Sequence, residues 1–135
     1  MKRVSATLFV LIVILAMAST ASAQSTPMRA NIPFDFTVGD RHLDKGDYRV
    51  RVTTLGVLQL QSSNGSAAFS LLQAAPQENP QTRGALVFRR YGDANFLSKI
   101  VWADGLAREL PKTRGEIEIA RKYPGAPAIE TATAR

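Results

Sequence analysis

The 135-residue chain contains no cysteine, a single histidine and a single tryptophan. Without cysteine there can be no disulfide, no thiolate nucleophile and no lipid anchor on an N-terminal Cys. A structural zinc site is equally remote, since histidine and cysteine ligands together number one. Serine hydrolases rest on a positioned base, most often histidine, and nothing with nucleophile spacing points to His42. Also missing are the G-x-S-x-G elbow, the phosphate-binding P-loop and the G-x-G-x-x-G turn. These absences predict a protein that is not an enzyme and that carries no cofactor.

Long apolar runs are confined to the first two dozen residues, "MKRVSATLFVLIVILAMASTASAQ". Lys2 and Arg3 precede an apolar stretch from Leu8 to Ala18, and Ala21 and Ala23 stand where a signal peptidase requires small residues. The stretch is shorter than the roughly 20 residues a permanent span needs. The expectation is a signal peptide over 1–23, cleaved after Ala23, and a product exported to the periplasm or the medium with no membrane span. An exported domain lacking disulfides suits a bacterial envelope. Removing 23 residues leaves 112, with 15 basic side chains against 11 acidic ones. That is one small domain of mild positive charge. Nucleic acid is not an expected partner of an exported protein; an envelope protein or polysaccharide is.

What remains is patterned with a period of two. In "MRANIPFDFTV", Met28, Ala30, Ile32, Phe34, Phe36 and Val38 alternate with polar residues and Pro33. Such alternation puts one set on each face of a strand, and Pro33, which cannot donate to a ladder, suggests an edge. Gly39-Asp40 breaks the run, Leu43 turns back inward, and Tyr48, Val50 and Val52 resume after Asp44-Lys45-Gly46-Asp47. Leu58 and Leu60 continue the inward face. Asn64-Gly65 then signals a type I′ hairpin leading into Ala67–Ala74. The loop "APQENPQTRG" is polar, with Pro76 and Pro80. A second hairpin, 85–91 with 95–102, turns at Gly92-Asp93. In it Leu86 and Phe88 belong to the core, Arg89 faces outward, and Phe96, Ile100 and Trp102 share one parity with Ser98 among them. Leu106–Leu110 is a last short strand.

The period changes once. Thr113 stands three residues before Glu116, the spacing of a capping box, and Ile117 and Ala120 follow at helical intervals, so a short C-terminal helix is expected. Residues 122–135 are poor in apolar side chains and read as a disordered tail. The fold class is therefore all-β: an antiparallel sandwich or open barrel of about seven short strands over 24–121.

Candidate sites are sparse. Asp40, Asp44 and Asp47 offer oxygens to calcium, but Lys45 sits among them and the spacing is that of ordinary turn residues. Asp35, Glu109 and Glu116 are the carboxylates that could pair for glycoside hydrolysis. Each also has a plain role, on a strand's polar face, before a Leu-Pro exit and at a helix start. The best candidate for a binding surface is an outer face bearing Arg49, Arg51 and Arg89. With nearby aromatics it suggests a carbohydrate- or polyanion-binding module as the alternative to a purely structural or interaction module of the envelope.

Three blocks carry a resemblance: "IPFDFTVGDRHLDKGDYRVRV", "LVFRRYGDANFLSKIVWADG" and "ARELPKTRGEIEIA". Together they span about half the mature chain. The first resembles the pattern I-P-F-x-F-x-V-G-x-x-x-L-P-A-G-x-Y-x-V of an uncharacterised family of small exported bacterial β-rich proteins, and departs from it at Asp44-Lys45, where Pro-Ala is usual. The resemblance implies an exported β-rich domain and brings no activity, catalytic residue or cofactor with it.

Overall fold

A computed structural model describes residues 27–135; the expected signal segment, with Ala21 and Ala23, lies outside the described residues. The described residues are mostly β, with one short helix. Eleven strands occur in the order β1 (Met28–Ile32), β2 (Phe36–Val38), β3 (Arg41–Leu43), β4 (Gly46–Val52), β5 (Val57–Ser62), β6 (Ala67–Leu71), β7 (Gln73–Ala74), β8 (Gly84–Tyr91), β9 (Ala94–Val101), β10 (Ala107–Glu109) and β11 (Ala128–Ala134). Helix α1 (Arg114–Lys122) precedes the last of them. The strands form one sheet in the order β3-β2-β9-β8-β11-β1-β4-β5-β6, with β10 joining β9 to β7. The sheet curls into a nearly closed barrel. The expected seven strands and two-sheet option give way to eleven strands in a single sheet.

The alternating residues do line one interior. Ile32, Phe36, Leu58, Leu60, Leu86, Phe88 and Ile100 are fully buried in one cluster with Val38, Leu43, Tyr48 and Val50. Phe36 packs edge-on against both Phe88 and Tyr48, at 5.4 and 5.2 Å between ring centroids, a favoured arrangement of the ring quadrupoles.

Several expectations fail for definable reasons. The run 28–38 is two strands, because Pro33 ends the first. β1 is not an edge strand: it pairs with β4 on one side and β11 on the other, and the proline lies just past it. β2 turns away to lie parallel to β9, Thr37 opposite Phe96. The Asn64-Gly65 turn is not type I′, which needs positive φ at both central residues; only Gly65 has it, at 93°. Asn64 instead uses its side-chain oxygen to accept from the Ser66 N–H, at 3.1 Å. Gly92, at φ 58° in the two-residue β8–β9 loop, supplies the single positive φ that a type II′ turn takes at its first central position.

The parity expected for β9 is interrupted by a bulge. Phe88 faces Leu97 and Val87 faces Lys99, which leaves Ser98 as the extra residue. Its hydroxyl donates to the Val87 carbonyl at 2.9 Å. The slip puts Leu97, rather than Phe96, in the main core with Ile100, while Phe96 packs with Tyr91 (6.1 Å).

The largest departure is at the C-terminus. The segment expected to be a disordered tail contains β11, which sits between β8 and β1 and matches β8 over seven residue pairs, from Ala128–Arg90 to Ala134–Gly84. Its low apolar content is enough because only Ala132 and Ala134 need to face inward, both buried; the ladder satisfies the backbone.

Candidate functional site

The three arginines expected to form a surface do not stay together. Arg89 faces outward from β8, but α1 covers it. Its guanidinium binds the Glu116 carboxylate in a two-point contact, one arm being Nη2 to Oε2 at 3.0 Å. The Tyr91 hydroxyl donates to the same carboxylate at 3.2 Å. Glu116, 2 % exposed, therefore holds the helix to the sheet. Only half of the expected capping box forms: the Glu116 N–H donates to the Thr113 hydroxyl at 3.3 Å, but the carboxylate points to Arg89 and not back to the cap. Arg89 is thus a structural group and leaves the binding surface.

Arg49 and Arg51 remain exposed on β4, and Arg49 has unexpected company. An open depression of ≈ 1030 Å³ is lined by Arg29, Arg49, Arg83 and Arg135 together with Asn31, Asp47, Gln61 and Ser63. All four arginines are exposed, and none makes an ion pair among the described residues. The one acidic lining side chain, Asp47, accepts a hydrogen bond from the Asn31 amide at 2.9 Å.

Strand register explains the grouping. Arg29 on β1 is opposite Arg49 on β4, and Arg49 is opposite Gln61 on β5. On the other side Arg29 and Arg135 exchange both backbone hydrogen bonds, each 2.7 Å. A strand residue directs its N–H and C=O to the same side, so Arg29 and Arg49 form a non-hydrogen-bonded pair, with Cα atoms about 4.5 Å apart and side chains close. Gly84 faces Ala134, which brings Arg83, the residue before β8, level with Arg135. Arg83, Arg135, Arg29 and Arg49 therefore lie in one lateral row across β8, β11, β1 and β4. Alternation made Arg29 and Arg49 legible as outward-facing residues. Their alignment with Arg83 and Arg135 depended on β11, and no local signal announced it.

The remaining candidates scatter. The suggested calcium oxygens do not assemble as a set, since Asp47 is turned to Asn31. The structure groups Asp35, His42 and Asp44 instead, with ligand atoms within 4.8 Å of one another. All three are exposed. Asp35 accepts from the Lys45 N–H at 2.8 Å, and His42 Nδ1 lies 3.5 Å from the Thr37 hydroxyl. These are the donors a divalent cation would meet at this end of the barrel. The three carboxylates weighed for glycoside hydrolysis have different partners: Asp35 meets Lys45, Glu109 lies 3.6 Å from Lys99, and Glu116 holds Arg89.

No protein-family model matches the chain, and no curated protein or solved structure is significantly similar to it.

Proposed function

We propose that this protein is an exported, non-enzymatic interaction module of the cell envelope, and that its contact surface is the arginine-lined depression, which takes polyanionic ligands. The export reading rests on the N-terminal sequence. The contact surface rests on one observation: four exposed arginines, on or one residue beyond the ends of four neighbouring strands, share a depression, and none of them makes an ion pair among the described residues. Like charges directly opposite one another in a sheet are destabilising. Such a local conflict is what a binding site leaves behind when ligand charge is its missing complement. Arg49 keeps the place that the sequence suggested, Arg51 flanks it one position further along the same face, and Arg89 is replaced by Arg29, Arg83 and Arg135.

The test uses processed protein and anionic polymers of several chemistries, followed by calorimetry. Saturable binding that weakens with salt is expected, since exposed charge pairs are screened. The Arg29→Gln/Arg49→Gln double variant should lose most of that binding while its melting temperature stays level or rises, because a repulsive pair has been removed. Binding unchanged in a folded double variant would refute the assignment of the surface.

A further inference from the structure

We infer that the row of arginines is built for a linear anionic polysaccharide carrying one carboxylate per sugar, laid across the strands and not along them. This deepens the proposed function and rests on it. A cluster of cations arranged without order would take a compact anion, a flat membrane or a chain equally well. The row here is ordered by the ladder. Adjacent strands lie about 4.8 Å apart, so Arg83, Arg135, Arg29 and Arg49 repeat at roughly that interval over about 14 Å, perpendicular to the strand direction. Gln61 continues the row onto β5 as an uncharged hydrogen-bonding group, suited to a sugar hydroxyl.

The sheet also supplies a floor. Thr133 on β11 and Ser63 after β5 line the same depression, offering hydroxyl groups beside the guanidinium forks. Guanidinium binds carboxylate in a planar two-point contact, and Arg29, Arg49 and Arg135 stand on paired backbone, so the ordering that binding requires is that of the side chains and not of the main chain beneath them. A concave seat bordered by polar residues fits a chain better than it fits a bilayer surface.

The experiment is a length series. Galacturonate monomer, dimer, tetramer and octamer are titrated into the processed protein at fixed salt, beside inorganic polyphosphate and vesicles containing anionic lipid. Affinity per molecule should rise roughly two- to fivefold with each added sugar, the worth of one exposed ion pair. It should level off near four sugars, when the row is filled. Arg83→Gln and Arg135→Gln, at one end, should each shorten the series by about one step. Arg41→Gln on β3, which removes the same charge elsewhere, should change affinity less than twofold.

Equal affinity for monomer and octamer per carboxylate, or an effect of Arg41→Gln as large as that of Arg135→Gln, would overturn the ordered row and leave the anion-binding surface standing. Binding to vesicles or polyphosphate but to no oligogalacturonate would overturn the polysaccharide and keep the wider reading. No binding to any of these probes would overturn both.

Discussion

At the scale of single residues, polar side-chain contacts hold a turn and the helix to the barrel, and they give measurable consequences. The Tyr48 hydroxyl donates to the Asp44 carbonyl at 2.6 Å from a ring that is 3 % exposed. Burial raises its pKa above the usual 10.0, and the Asp44 and Asp35 carboxylates push the same way, against a lowering contact with Ser62. Lys99 is also raised above 10.5, first by its hydrogen bond to Glu78, 2.9 Å away. Both groups hold their protons more tightly folded than unfolded. Their contribution is fully present below those ordinary values and is lost as pH climbs through the raised ones. Stability should therefore fall with pH above about 10. Tyr48→Phe should cost about 1 kcal/mol at neutral pH and flatten that alkaline limb, read by urea unfolding at pH 7 to 11. The second case is Arg89. Cutting it to Ala strands the Glu116 carboxylate under α1 and should cost about 3–5 kcal/mol, whereas replacing both partners by apolar residues of similar volume should recover most of the loss. The double replacement should leave polyanion binding untouched, because the pair lies outside the depression.

Single elements show where a sequence speaks and where it is silent. Alternation placed Leu58, Leu60, Val50 and Leu86 correctly, because the choice of face is a local property of an extended chain. The helix was legible from Thr113 and Glu116, since a cap acts within one turn. The bulge at Ser98 was not, because an extra residue is defined only against the partner strand, and it reversed the roles of Phe96 and Leu97. The arginine row failed to show for the same reason: lateral neighbours in a sheet are chosen by register, and Arg29 and Arg135 stand at opposite ends of the described chain. The β8–β9 turn, in contrast, was visible as Gly92-Asp93, and the structure adds why glycine is needed there. Its φ is 58°, and a Cβ at this position would press to within 2.6–2.8 Å of the Tyr123 ring at the end of α1. Gly92→Ala should destabilise the protein by at least about 1 kcal/mol and free the ring of Tyr123, detectable as a change in tyrosine fluorescence with the sheet's circular dichroism intact.

For the whole molecule, β11 decides whether the barrel exists. β1 meets it at Ala30–Ala134, a contact between segments more than a hundred residues apart, and β8 meets it along its full length. Closing so long a loop costs conformational entropy before any ladder repays it, so the barrel closes only once both ends of the described chain have come together. The same strand carries Arg135 into the row and sets Arg29 beside it, which makes the contact surface a product of closure. Deleting 124–135 should therefore do two things at once. It should expose the β8 and β1 edges, abolishing the cooperative thermal transition and the protection of β8 amides against hydrogen exchange. It should also remove polyanion binding, although Arg29, Arg49 and Arg83 all remain in the chain. A synthetic peptide of residues 124–135 added in trans should restore both, because its pairing information lies in the ladder with β8. If the shortened protein kept a sharp transition and bound polymer without the peptide, β11 would be an accessory strand and the row would owe nothing to it.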